Sequence, residues 1–180
     1  MNQPLIHFFK ALLLFVCVAL SGCYDGQRTM LIADSYSPEK DVTTLQLIPY
    51  GDIKIPGKWT KTSFNESSKQ HFFSNSDSIS IAVALNPMKK YSFYQPDVSA
   101  EEFLTAFFNW EKDFYEQNGI AVTKINREPN YVIFSVKKEN INTILLFGAK
   151  EDMALNYAIS STKWDDSQRI KFLKTLFELN

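Results

Sequence analysis

From Ile120 to Ser161 the chain passes through four strand-like segments: Ile120 to Arg127, Tyr131 to Lys137, Thr143 to Gly148 and Leu155 to Ser161. Turn residues separate them at Glu128-Pro129-Asn130, Lys138 to Asn142 and Lys150-Glu151-Asp152. Two parallel neighbours need a crossover of about a dozen residues or more. None of these connections is long enough, so the spacing predicts an antiparallel meander. Upstream, Gln70 to Ser74 and Ser78 to Leu85 are joined by Asn75-Ser76-Asp77, which reads as a hairpin loop. In the second strand Ile79, Ile81, Val83 and Leu85 alternate with Ser80, Ala82 and Ala84. One sheet face is bulky and the other small, and a helix is expected to approach the small side closely. Asp52 to Ile55 and Lys58 to Phe64 are further short strand candidates, split by the turn pair Pro56-Gly57.

Two segments change period. Ser99 to Asn118 carries Phe103, Phe107, Trp110 and Phe114 at i, i+4, i+7 and i+11, widened by Leu104, Phe108 and Tyr115, which predicts one apolar helical stripe. Ser99 and Glu102 have the spacing of a capping box, and Gly119 suits the left-handed position that ends a helix. A last helix starts at Asp165, with Gln168 at the capping-box position and Ile170, Leu173 and Phe177, flanked by Phe172 and Leu176, on its buried side.

Counting the split pair as one, the order is β-β-β-α-β-β-β-β-α. With Ile55-Pro56-Gly57-Lys58-Trp59 opening the domain, a Phe- and Trp-rich middle helix and a terminal helix, residues 51 to 180 resemble the PsbP/Mog1-like superfamily. The resemblance is mostly one of topology. It implies an α+β fold in which an antiparallel sheet of six to seven strands lies between helices, an α/β/α sandwich. It implies a binding or assembly role by fold-level analogy, and brings no shared catalytic residues.

The N-terminus speaks of location. Ala11 to Leu20 is an apolar run after Lys10, followed directly by Leu20-Ser21-Gly22-Cys23. The cationic start, apolar core and small residues have the form of a secretory signal. A spanning helix needs about 20 consecutive apolar residues, and this run is too short. The last four residues resemble the lipobox of bacterial lipoproteins, which implies cleavage before Cys23 and acylation of that cysteine. Residues 1–22 are then a lipoprotein signal peptide, 23–48 a lipidated N-terminus and tether, and 49–180 a single globular domain. Tyr24 to Leu47, rich in Asp, Gly, Gln, Ser, Pro and Thr, is expected to be flexible; the alternative is that Met30 to Ile32 or Thr44 to Ile48 adds a strand to the sheet edge. Cys17 would leave with the signal and lipid would occupy the Cys23 sulfur, leaving no thiol for a disulfide, metal or nucleophile.

Composition and pattern exclude several chemistries. The formal net charge of −1 gives no basic footprint for nucleic acid. Only His7 and His71 exist, so zinc sets and a Cys-His pair cannot be assembled. A Ser-His-Asp triad would have to use His71, beside Phe72-Phe73 in a strand, with no Gly-x-Ser-x-Gly turn to expose a nucleophile; a solvated strand histidine is expected instead. Glu101-Glu102 and Asp165-Asp166 belong to helix first turns, where they complement the dipole, and Asp77, Glu151 and Asp152 to turns. No calcium loop and no phosphate-binding Gly-rich loop occurs. No catalytic residue, metal site or cofactor is expected.

Asn86 to Val98 is longer than an ordinary connection and carries Lys89, Lys90, Tyr91, Phe93 and Tyr94, a set suited to a partner surface. The competing reading is that Tyr91, Phe93 and Tyr94 fold back over the sheet edge as satellite core. A second surface candidate is Asn109, Trp110 and Lys112 on the middle helix, with Trp110 more readily assigned to the core. The function expected is that of a non-catalytic, protein-binding lipoprotein: an assembly factor, adaptor, or inhibitor of the immunity type. It would be anchored to a bacterial membrane through its lipid and face the periplasm or cell exterior. Its partners would be that membrane and an envelope protein, without nucleic acid or metal. The alternative is a lipoprotein that binds a small hydrophobic ligand or lipid. A closed apolar pocket under the middle helix would favour the ligand, and a filled core with exposed aromatics a protein.

Overall fold

A computed structural model describes residues 31–180, so the signal segment, the lipobox and Cys23 lie outside the described residues. Strand pairing divides the chain into two sheets. Leu31–Ser37 (β1), Val42–Ile48 (β2) and Gly51–Pro56 (β3) form a three-stranded antiparallel sheet in that order. Thr60–Asn65 (β4), Gln70–Ser74 (β5), Ser80–Pro87 (β6), Ala121–Glu128 (β7), Tyr131–Lys138 (β8), Ile141–Lys150 (β9) and Met153–Ser160 (β10) form a seven-stranded sheet. Its order is β4-β5-β6-β10-β9-β8-β7, antiparallel throughout. Helix α1 (Ala100–Gln117) packs across β7, β8 and β9 on one face, whereas α2 (Asp166–Leu179) and the small sheet cover the other. The fold is α+β, and the meander read from the short turns is present as β7 to β10.

The expected tether is corrected over residues 31–48, which form β1 and β2. Here Thr43, Leu45 and Leu47 are buried at every second position, so one face of β2 belongs to the core. Nor do these strands extend the edge of the main sheet: among the described residues β1 pairs only with β2, from Leu31 opposite Ile48 to Ser37 opposite Val42, and β2 pairs with β3. The domain therefore starts upstream of residue 49. Ile55-Pro56-Gly57-Lys58-Trp59 does not open it but carries the chain from the small sheet to the large one. The crossing is fixed from β2: the Thr43 hydroxyl donates to the Gly57 carbonyl (2.9 Å) and accepts from the Trp59 amide (2.9 Å). The Trp59 indole N–H donates to the Pro56 carbonyl (2.7 Å).

Between the large sheet and the layer of α2 plus small sheet lies one core, built from Leu45, Ile53, Phe73, Val83, Leu146, Tyr157, Leu173 and Phe177 among others. A Cβ at Gly148 would overlap the Phe177 ring, so a glycine in mid-strand lets α2 come close. Asn180, after α2, acts as a clasp: its Nδ2 donates to the Lys54 carbonyl (3.0 Å) and its Oδ1 accepts from the Lys54 amide (2.7 Å). Both helices carry the expected capping boxes, Ser99 with Glu102 and Asp165 with Gln168.

Candidate functional site

The second core lies under α1, and its geometry corrects the expected stripe. Phe103, Leu104, Phe107 and Phe108 are buried against Val132, Phe134, Leu145 and Phe147, with the Phe107 ring edge-on to Phe147 at 4.1 Å. Trp110 and Phe114 are instead 50% and 56% exposed. For Trp110 the reason is angular. Each helical residue turns about 100°, and the buried seam is centred between the Phe103–Phe107 row and the Leu104–Phe108 row. Glu111 and Tyr115 continue that seam and are half-buried, Trp110 falls on its flank, and Phe114, i+7 from Phe107 and on the Phe103–Phe107 row, is exposed in the last turn of the helix. The space under the helix is filled by these rings.

The small face of β6 does look toward the α1 side of the sheet, but α1 packs on β7 to β9 and does not lie over it. One row across that face runs Ala84, Asn156, Phe147, Val132. Phe107 covers Phe147, and beside it, over Asn156, a groove opens with a volume of about 440 Å³. One wall is α1, with Phe107, Trp110 and Glu111. The opposite rim is the β4–β5 turn, Ser67 to Lys69, and the end wall is Asn86 with Lys90 to Phe93.

The loop after β6 supplies that end wall. Met88–Lys90 makes a short 3-10 turn, tied to the β9–β10 turn by the Met88 amide donating to the Asp152 carbonyl (2.8 Å). Tyr91 then lies edge-on to Phe107 at 4.9 Å, and Phe93 packs 5.5 Å from Phe103 and 6.0 Å from Trp110. Tyr94 is also partly buried against the same cluster. These rings take the satellite-core position, each half-buried, whereas Lys89 and Lys90 are exposed. Phe93, Trp110 and Phe114 together make an aromatic ridge along the outer flank of α1.

Electrostatics single out one residue the sequence reading passed over. Burial lifts the Glu111 carboxyl to about 7. Burial also raises Tyr91 and Tyr115 to about 12; Glu111 adds to both, and the Asn86 amide pulls Tyr91 the other way. On the floor, the Asn156 Oδ1 is buried and has no hydrogen-bond partner among the described residues. The signal for Glu111 was present: it sits i+4 from Phe107 and i+3 from Phe108, a carboxylate in the middle of an apolar helical face.

His71 is not solvated. It is 1% exposed on the opposite sheet face, stacked on Phe64 at 4.5 Å, and burial helped by Lys61 lowers it to about 4, so it is neutral. Glu102 serves its cap, and Glu101 pairs with Arg127 at 3.6 Å. Among the described residues no three His, Cys, Asp or Glu side chains cluster as metal ligands, and no helix is long and apolar enough to cross a membrane.

The strands and packing define an antiparallel α+β protein with an open groove beside its middle helix. No family model matches the chain, and no curated protein matches it. Among solved structures it is similar to the solution structure of cyanobacterial PsbP from Synechocystis sp. PCC 6803, at 9% identity. The overlap covers 88% of this chain and 94% of that one, with a TM-score of 0.41. That likeness carries no argument of its own, and the fold class rests on the pairing and packing above.

Proposed function

We propose that this chain is a lipid-anchored, non-catalytic binding module of a bacterial envelope, and that a protein partner docks on the aromatic ridge and groove along α1. The observation that carries the reading is the exposure of Trp110 and Phe114, two large rings on one helix flank, continuous with Phe93. Single exposed apolar residues are ordinary, but a contiguous aromatic patch bordering a groove marks an interaction surface. Trp and Tyr are also the residue types that most often anchor interfaces. The lipid anchor rests on Leu20-Ser21-Gly22-Cys23 after its apolar run.

Two experiments test the two halves. Cys23→Ser should abolish incorporation of labelled fatty acid; labelling that persists ends the lipoprotein reading. A photo-crosslinking amino acid at Trp110 should trap one discrete envelope protein in living cells, while the same probe at Lys171, exposed on α2, traps none. Equal products from both positions would remove α1 as the docking face. The small-ligand reading keeps one observation in its favour, since the groove falls within the roughly 300–1,000 Å³ of ligand sites. A hydrophobic probe bound by the wild type and released in Trp110→Ser, with no crosslinked protein, would make it the better one.

A further inference from the structure

We infer that the groove beside α1 is a receptor for the guanidinium group of an arginine side chain carried by a protein partner. The inference rests on the protein-binding reading and names the chemistry of its central contact.

Serine hydroxyls and two lysines stand at the rim of the groove, and on its helix wall Glu111 is an acceptor that no side chain of the described residues pairs. It forms no ion pair among the described residues, although a cation follows it in sequence: Lys112 is taken by Glu116 (3.6 Å). The two lysines at the rim are engaged elsewhere. The Lys90 ammonium sits 4.7 Å over the Tyr50 ring and that of Lys69 sits 5.8 Å over Phe64. On the floor, the Asn156 Oδ1 is buried without a donor. The walls are π faces, with Phe93 and Trp110 6.0 Å apart at the rim.

That combination selects among ligand classes by sign and shape. An anion meets Glu111, and an apolar group would leave Glu111 desolvated and unpaired. A cation is attracted by the carboxylate and by the ring faces alike. Guanidinium fits better than ammonium because it is planar, weakly hydrated and carries five donors in a fixed fork. It can therefore stack on Trp110 while donating to Glu111. The raised carboxyl is consistent with a site waiting for its counter-charge, and a bound cation should lower it again.

The test titrates N-acetyl-arginine methylamide into the full chain held in a neutral detergent, reading the indole N–H resonance of Trp110, which Trp110→Phe identifies. The expected result is a saturable shift. The uncharged citrulline counterpart should bind at least about tenfold more weakly, as should arginine to Glu111→Gln, the loss typical of a hydrogen bond to a charged group. Wild-type affinity should also rise with pH between about 6 and 7, approaching tenfold per unit while Glu111 is mostly protonated, because the cation must displace its proton. The other titratable groups facing Glu111 are Tyr91 and Tyr115, raised to about 12 and neutral throughout, with Lys69 and Lys90 at the rim.

Equal binding of citrulline, or a flat pH dependence, overturns the inference; so does lysine methylamide binding as tightly as arginine. The wild-type measurements decide the matter even if Glu111→Gln unfolds. A crosslinked partner at Trp110 with no arginine binding defeats this inference alone. Arginine binding without any crosslinked protein defeats the partner reading and leaves the guanidinium subsite standing.

Discussion

Glu111 and His71 titrate in overlapping ranges with opposite consequences for folding. The Glu111 carboxyl rises from 4.5 to about 7 on folding, so its contribution to stability is full below about 4.5 and lost as pH climbs through about 7. His71 falls from 6.5 to about 4, so its contribution is full above about 6.5 and lost as pH drops through about 4. Between about 4.5 and 6.5 the two slopes oppose each other, and the wild-type stability curve should be nearly flat there. Urea unfolding of Glu111→Gln across this window should uncover stability that increases with pH, and the His71→Phe variant the reverse. Parallel curves for wild type and both variants would mean that neither side chain is desolvated as described. The capping carboxylates Glu102 and Asp165 are lowered by their caps and titrate below this window. Those caps were legible because a capping box is a local pattern. Glu111 is equally local, but the i, i+4, i+7, i+11 spacing leads the apolar stripe through Trp110, one residue to its side. The need for glycine at 148 could not be read at all, since the Phe177 ring that requires it lies in the last helix.

At the scale of elements, the loop after β6 and the outer flank of α1 should respond in opposite ways. Replacing Tyr91, Phe93 and Tyr94 together with Ser removes rings that pack on Phe103 and Phe107, and each half-buried ring contributes at most part of the about 1.5–3 kcal/mol of a fully buried one. Thermal unfolding should move down by several degrees. Trp110→Ser with Phe114→Ser should leave the melting temperature within a degree or two of wild type, because surface changes are usually within about 0.5 kcal/mol. A reversal of the two results would exchange ridge and core. The loop's length and its aromatic residues were visible in the sequence, but the destination of those rings was not, because it depends on how far α1 extends across the sheet. Strands β1 and β2 were hidden differently. Thr43, Leu45 and Leu47 do alternate, yet Asp, Gly and Pro around them blur the signal of a strand with one face in water.

For the molecule as a whole, the boundary between tether and domain moves upstream. Deleting residues 31–48 takes two strands of three from the small sheet and uncovers Phe73, Val83 and Tyr157, which pack in the core that Leu45 and Leu47 complete. The deleted chain should lose its cooperative unfolding transition and bind a hydrophobic dye. A sharp transition retained in the deletion would restore the boundary at residue 49. The antiparallel order β10-β9-β8-β7 was readable because short turns leave no other topology. The division into two sheets was not, since Pro56-Gly57 looks the same whether the chain folds back on its own sheet or crosses to another.

The placement of β1 also has a mechanical meaning. A load applied at Leu31 meets the β1–β2 hairpin at its open end, where Leu31 faces Ile48. Tension there works as on a zipper: the rungs part singly from Leu31 toward Ser37, each at low force, instead of shearing all at once. The ridge on α1 stands beyond the large sheet, on the far side from this hairpin, and keeps its shape while the first strand peels. The outer strand thus behaves as a mechanical fuse, yielding to a pull on the N-terminal segment before the strain reaches the groove.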